Sequence, residues 1–188
     1  MRTLKLGGST LDVPVIAVGC MRLDSLDRQD AERFVHTALD EGANFFEHAD
    51  IYGGGRCEEI FADAAGMSSS VRGKVILQSK CGIRPGMFDF SREHILASVD
   101  GSLKRLGTSE IDILYLHRED HATPLIETVH ALADLIRVGK LRYFGVSNHR
   151  AWRVAEICRL CDQAGIDRIV ALFADDAQLS NPIIERDG

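Results

Sequence analysis

The stretch SREHILASVDGSLKRLGTSEIDILYLH, residues 91–117, predicts one helix followed by one strand. Ser91 is suited to be the helix N-cap, and Glu93 lies in the first turn, where the helix dipole favours a negative charge. The next apolar residues share one helical face: Ile95, Leu96, Val99, Leu103 and Leu106. The run IDILYL at 111–116 is apolar almost throughout, which is typical of a strand covered on both faces. The polar residue His117 follows where this strand ends.

The same alternation of strand and helix continues along the chain in both directions. Further apolar runs of strand length occur at 13–19, 43–47, 75–79, 143–146 and 168–173. Helical patterns separate them: Ala31 to Leu39 ending before Gly42, a shorter one after Cys57, one opened by Thr123-Pro124 and closed by Gly139, and one over about 151–164. Alternating strands and helices predict an α/β fold with a parallel sheet whose strands all point the same way.

Polar and titratable residues follow four consecutive predicted strands. They are Asp50 and Tyr52, Lys80, His117, and Ser147 with Asn148. Because the carboxyl ends of parallel strands meet at one rim, we expect these side chains to converge on one site.

The residue types in this group indicate acid-base chemistry. A phenol has an ordinary pKa of about 10, so Tyr52 needs a neighbouring cation to exchange a proton at neutral pH. Lys80 can be that cation, Asp50 can keep it charged, and His117 can orient an oxygen atom beside the tyrosine. The sequence contains no G-x-G-x-x-G, P-loop or G-x-S-x-G motif that would indicate another chemistry.

Composition narrows the class of protein. The chain has 188 residues, a net charge of −6 and no block of lysine or arginine, so nucleic acid is not expected as a partner. No apolar segment at the N-terminus is long enough for a signal peptide or membrane span, and the odd number of five cysteines indicates reduced thiols. We expect a single domain over 1–188, in the cytoplasm, with no membrane partner.

Four motifs in register resemble the aldo-keto reductases, particularly the bacterial subgroup that carries HADIYGG. They are HADIYGGG (48–55), LQSKCG (77–82), LYLHRED (114–120) and GKLRYFGVSNH (139–149). The resemblance implies a (β/α)8 TIM barrel preceded by a short N-terminal hairpin. It also implies NADP(H)-dependent reduction of a small aldehyde or ketone to an alcohol.

The resemblance also assigns roles to particular positions. Tyr52 matches the proton donor, Lys80 the lysine that lowers its pKa, Asp50 the partner of that lysine, and His117 the histidine that orients the carbonyl. The implied cofactor contacts are Gly19, Cys20, Met21, Arg22, Asp50, Ser147 and Asn148.

Several features depart from the family pattern. Six predicted strands and five full helices fall short of an eight-stranded barrel, so we expect a barrel that is truncated at its C-terminus and lacks part of the cofactor pocket. Its first and sixth strands would be open edges that favour self-association. Asp175-Asp176 align with an Asn-Gln pair of the family, and a shifted alignment would use Gln178 instead. His149 aligns with a more frequent phenylalanine, and Glu119 with a frequent proline.

Two alternatives stay open at this point. One is a non-catalytic relative that binds a cofactor or a protein partner. The other is a metal-dependent hydrolase on the same barrel, with ligands drawn from His48, Asp50, His117, Asp120 and His121 and with Lys80 as a bridging lysine.

Overall fold

The computed structural model of the protein describes residues 1–7 and 9–166. Its main element is a five-stranded parallel sheet. The strands are β1 Thr3–Lys5, β2 Asp12–Pro14, β3 Val18–Gly19, β4 Phe45–Glu47, β5 Ile76–Cys81, β6 Ile83–Arg84, β7 Met87–Phe88, β8 Ile111–Leu116 and β9 Leu141–Val146. The parallel sheet has the order β3-β4-β5-β8-β9. This order follows the chain, as expected for successive strand-helix units, and the α/β prediction is confirmed.

In the described part of the chain, six α-helices cover the outer face of the sheet or connect its strands. They are α1 Arg28–Asp40, α2 Arg56–Ala65, α3 Ser69–Arg72, α4 Arg92–Leu106, α5 Leu125–Arg137 and α6 Ala151–Ala164. The hydroxyl of Ser91 accepts a hydrogen bond from the backbone N–H of His94 at 3.4 Å, so the predicted cap of α4 is present. For α5 the cap is Pro124 rather than Thr123, and the helix begins one residue later than predicted.

The two faces of the sheet contact different parts of the molecule because strand side chains alternate. One face packs against the helices in the larger core, which includes Phe46, Leu77 and Leu114. The other face forms a smaller cluster around Phe45 and Ile113. Within a strand, side chains on one face therefore contact the helices. Those on the opposite face form the inner face of the sheet.

The first predicted strand, 13–19, is two separate strands in the structure. β2 pairs antiparallel with β1, and only β3 joins the parallel sheet beside β4. β2 ends at Pro14, because proline has no backbone N–H to donate to a neighbouring strand. Leu11 and Val13 of the hairpin are buried against the inner face of the sheet. The implied N-terminal hairpin is thus present.

The sixth predicted strand, 168–173, and Asp175-Asp176 lie outside the described residues. Of the expected barrel, the described part contains five parallel strands that do not close. Among residues 1–7 and 9–166, no helix combines the length and hydropathy needed to cross a membrane.

Candidate active site

A tight glycine turn carries Tyr52 at the carboxyl end of β4. The 3₁₀ turn Tyr52–Gly55 has positive φ angles at all three glycines, a conformation that other residues adopt only with strain. A Cβ atom on Gly53 would lie 2.8 Å from a carboxylate oxygen of Asp24. The three glycines therefore allow the chain to turn sharply from β4 into α2 while Tyr52 stays at the rim.

Tyr52, Lys80 and Glu47 form one polar cluster on the inner side of the rim. The ammonium of Lys80 donates to the phenol oxygen of Tyr52 at 2.8 Å, and the phenol donates to Oε1 of Glu47 at 2.9 Å. Lys80 also forms an ion pair with Glu47 and donates to the backbone carbonyl of His48 at 3.1 Å. The side chains of Lys80 and Glu47 are only 10% and 18% exposed, so their charges interact with little screening.

The partner of Lys80 differs from the sequence-based expectation. Its carboxylate contact is Glu47, whereas the carboxylate of Asp50 accepts a hydrogen bond from the Ser98 hydroxyl of α4. Glu47 and Lys80 lie on the same face of neighbouring strands because β4 and β5 pair with Glu47 opposite Gln78. Asp50 follows the strand end, and its backbone N–H donates to the Lys80 carbonyl at 3.0 Å. The alternation Phe45, Glu47 on the inner face of β4 was the pattern that could have indicated Glu47.

Burial governs the protonation of this cluster. It raises the pKa of Tyr52, and the nearby thiols of Cys20 and Cys57 act in the same direction. Burial also lowers the pKa of Lys80 to about 8, although the Cys20 thiol acts in the opposite direction. An ion pair with the Glu47 carboxylate by itself favours the ammonium form of Lys80. The expected lowering of the Tyr52 pKa is therefore not what this arrangement produces. Instead the phenol retains its proton at neutral pH.

His117 lies beside the phenol at the end of β8. The two rings meet edge-on, with 6.4 Å between their centroids. Burial lowers the pKa of His117 to about 4, and the charges of Lys80 and Arg118 act in the same direction. The imidazole is therefore neutral near pH 7 and can donate or accept a hydrogen bond. Its Nδ1 atom is buried and has no hydrogen-bond partner within the described part of the chain.

Ser147 and Asn148 follow β9 at the same rim. The Asn148 amide donates to the His117 carbonyl at 3.2 Å and to the Ser147 hydroxyl at 2.8 Å. Asn148 has φ 58°, and no other residue except glycine has a positive φ within 1–7 and 9–166. Such a backbone costs on the order of 1 kcal/mol and persists where surrounding contacts hold it.

The segment from Gly19 to Arg22 borders this cluster after β3. The backbone N–H of Cys20 donates to the Glu47 carbonyl at 2.9 Å, and the Cys57 thiol donates to the Met21 carbonyl. Gly19, Met21 and Arg22 are exposed, whereas Cys20 is fully buried. Three of the four predicted cofactor contacts in this segment are thus accessible at the rim.

The buried carboxylate of Glu58 connects three elements next to the site: α2, which follows Tyr52; β5, which carries Lys80; and α4. Glu58, in the first turn of α2, is fully buried and accepts hydrogen bonds from the Ser79 hydroxyl at 2.7 Å and from Nε of Arg105 at 2.8 Å. Ser79 precedes Lys80 on β5, and Arg105 belongs to α4. The Glu58–Arg105 pair has no local signal in the sequence, since neither residue follows a predicted strand.

The residues proposed as metal ligands do not converge. His48 is fully buried, packs edge-on against Phe61, and burial lowers its pKa to about 3. The Asp120 carboxylate accepts hydrogen bonds from the backbone N–H of Ala122, in the following turn, and from that of Phe90, before α4. His121 is exposed. Within the described residues no group of three or more His, Cys, Asp or Glu side chains is arranged to hold a metal ion. The ligands suggested for a metal-dependent hydrolase therefore do not form a metal site.

Known proteins resemble this chain over most of its length. A sequence profile of the Aldo/keto reductase family matches residues 15–174. The uncharacterized oxidoreductase YcsN of Bacillus subtilis is 39% identical over 144 residues, which cover 70% of this chain and 48% of that protein. The aldo-keto reductase dtxS3 of Metarhizium robertsii is 31% identical and covers 90% of this chain and 55% of its own length.

A probable voltage-gated potassium channel subunit beta of Arabidopsis thaliana is also similar, with 33% identity over 87% of this chain and 51% of its own. The chain thus spans about half the length of these curated relatives. The profile match covers most of its residues, and the matched region includes the rim at which Tyr52, Lys80 and His117 meet. The chain therefore belongs to the aldo/keto reductase family.

Proposed function

We propose that this chain contributes the proton-transfer side of an NADP(H)-dependent reductase that converts an aldehyde or ketone to an alcohol. The observation that carries the proposal is the hydrogen-bonded set of Lys80, Tyr52 and Glu47 beside a neutral His117. The oxidoreductase relatives support the same class of reaction.

Tyr52 is the proton donor in this proposal. Its raised pKa keeps the phenol protonated at neutral pH, as a general acid requires. When its proton moves to the substrate oxygen, the phenolate would be stabilised by the Lys80 ammonium at 2.8 Å. Glu47 keeps that ammonium charged and takes the role that the sequence had assigned to Asp50. His117, as a neutral donor, would hold the carbonyl oxygen near the phenol.

The rim residues fit a bound nicotinamide dinucleotide. Nδ1 of His117 and Oδ1 of Asp50 are buried without a hydrogen-bond partner in the described part of the chain, so both can serve a polar ligand. Ser147 and Asn148 would hold the nicotinamide amide, and the exposed residues Gly19, Met21 and Arg22 would lie beside the ring. A bound reduced cofactor supplies the hydride that reduces the carbonyl carbon.

Replacement of Tyr52 by phenylalanine tests the proposed proton donor. We expect Tyr52→Phe to lower the rate of NADPH-dependent reduction of 4-nitrobenzaldehyde by about 10² to 10⁴, since general acid catalysis contributes that much. NADPH affinity, measured by fluorescence titration, should remain within about threefold of the parent value, because the cofactor contacts are retained.

The matched control is Tyr143→Phe. The Tyr143 hydroxyl accepts a hydrogen bond from the Thr10 backbone N–H at 3.0 Å, near the start of β9, where the N-terminal hairpin covers the inner face of the sheet. This variant should reduce the aldehyde at nearly the parent rate. Reduction by Tyr52→Phe at the parent rate would refute the assignment.

A non-catalytic binding role is the second candidate, supported by the similarity to the potassium channel subunit beta. The same measurements separate the two proposals. A chain that binds NADPH but reduces none of a panel of simple aldehydes and ketones would favour the binding role, whereas turnover that depends on Tyr52 would exclude it.

A further inference from the structure

Glu119 connects the two loops that carry the candidate site residues His117, Ser147 and Asn148. It is 8% exposed and lies two residues after His117, in the loop that follows β8. Its Oε1 atom accepts a hydrogen bond from the backbone N–H of Arg150, the N-cap residue of α6. The loops after β8 and β9 are therefore joined by a buried carboxylate as well as by the Asn148 amide.

The surroundings of Glu119 keep it ionised. Burial by itself would raise the pKa of Glu119, but the Arg150 N–H and the charges of Arg150, His149 and His121 outweigh burial and lower it. His121 Nε2 lies 3.3 Å and Arg150 Nη1 lies 3.8 Å from its Oε2 atom. A hydrogen bond to an ionised acceptor is about twice as strong as one between neutral groups.

A second hydrogen bond joins the loop after β8 to the first turn of α6. The guanidinium of Arg153, on the first turn of α6, is 9% exposed and donates to the backbone carbonyl of Asp120. Glu119 and Asp120 are thus both hydrogen-bonded to the start of α6. The backbone carbonyl of His117 accepts a hydrogen bond from the Asn148 side-chain amide. The strained Asn148, at φ 58°, lies between these attachments.

We propose that Glu119 is a positioning residue that holds Ser147 and Asn148 in their binding geometry beside His117. Without its carboxylate, the Arg150 N–H loses its acceptor and the start of α6 loses one of its contacts to the loop after β8. The left-handed backbone of Asn148 can then relax, because a strained conformation persists only while its neighbours enforce it. This inference rests on the proposed function, since it assigns Ser147 and Asn148 to the cofactor.

Amide hydrogen exchange tests the contact without any cofactor. In Glu119→Ala, exchange at residues 147–150 should accelerate by about tenfold or more, the factor that corresponds to one lost hydrogen bond to a charged group. Glu119→Gln keeps an oxygen acceptor without the charge, so its hydrogen bond is weakened rather than lost and exchange should accelerate by no more than about threefold. Unchanged exchange in Glu119→Ala would overturn the inference.

The control variant is Glu127→Ala. Glu127 likewise accepts a backbone N–H, that of Arg92, at 2.8 Å, but it joins α5 to the start of α4. Its removal should leave exchange at 147–150 unchanged. Faster exchange there in both variants would indicate general loosening rather than positioning and would overturn the inference as well.

NADPH titration then tests whether the Glu119 contact supports cofactor binding. Glu119→Ala should raise the dissociation constant for NADPH by about tenfold, while Glu119→Gln and Glu127→Ala stay within about threefold of the parent. Parent-like affinity in Glu119→Ala would overturn the role in positioning. A parent protein that bound no NADPH would instead refute the proposed function, and this result is distinguishable because the exchange measurement does not depend on the cofactor.

Discussion

Removal of Arg105 should destabilise the protein because it leaves the Glu58 carboxylate buried without its charge partner. Glu58 is fully buried and accepts hydrogen bonds from the Ser79 hydroxyl at 2.7 Å and from Nε of Arg105 at 2.8 Å. In Arg105→Met, of these two bonds it keeps the one from Ser79. Removal of one partner of a buried ion pair costs about 3–5 kcal/mol. The Arg105 side chain is 24% exposed, so water can partly replace it and the cost should lie near the lower limit, about 3 kcal/mol.

Urea unfolding and a thermal melt measure this cost. For a chain of this size, about 3 kcal/mol corresponds to a fall in Tm of roughly 6–12 °C. The double variant Glu58→Gln, Arg105→Met should recover a substantial part of the loss, since no carboxylate then remains buried unpaired.

The control is Lys140→Met, which breaks the ion pair of Lys140 with Asp100 (2.6 Å). Those side chains are 41% and 55% exposed, and an exposed pair contributes about 0–1 kcal/mol. If Arg105→Met were as stable as Lys140→Met, or if the double variant were less stable than Arg105→Met, the reasoning about a buried, compensated charge would fail.

Two further predictions concern the pKa of Lys80 and the turn after β5. Glu47→Gln should lower the pKa of Lys80 by about one unit or more relative to the parent protein, because the neighbouring anion no longer favours the ammonium. Lys80 would then lose its positive charge at a lower pH, and competitive acylation followed by mass spectrometry measures this; an unchanged or higher pKa would contradict the assigned ion pair. Gly82→Ala should cost more than about 2 kcal/mol in urea unfolding, because Gly82 has φ 102° and an added Cβ would lie 1.9 Å from Cε1 of Phe90. Gly86→Ala, at φ 77° with no atom within 4 Å of the added Cβ, should cost only about 1 kcal/mol, and equal losses in the two variants would show that Phe90 can move aside.

Local patterns were sufficient to predict most elements of the described fold. The strand at 111–116, the Ser91 cap and the helix from Ala151 to Ala164 agree with the structure, because hydrophobic period and capping residues act over a few neighbouring positions. The division of 13–19 into two strands was missed. An apolar run predicts burial but not the partner of each half, and here the first half pairs with the preceding strand β1 while the second half pairs with β4.

The candidate site could be predicted in part for the same reason. The rule that polar residues after parallel strands meet at one rim correctly grouped Tyr52, Lys80 and His117. It could not find Glu47, which lies within a strand, nor Glu119, whose acceptor role depends on the position of Arg150. It also assigned Asp50 to Lys80, although the side chain of Asp50 contacts Ser98 of α4.

The sequence by itself determined the alternation of strands and helices, the direction of the strands and the set of polar residues at their ends, because these depend on local hydrophobic period and chain connectivity. Only the tertiary structure decided which carboxylate pairs with Lys80 and that Tyr52 has a raised pKa. Ion pairs and pKa shifts depend on distances of a few ångströms and on burial. Both are determined by strand register and helix packing, which join residues far apart in the chain.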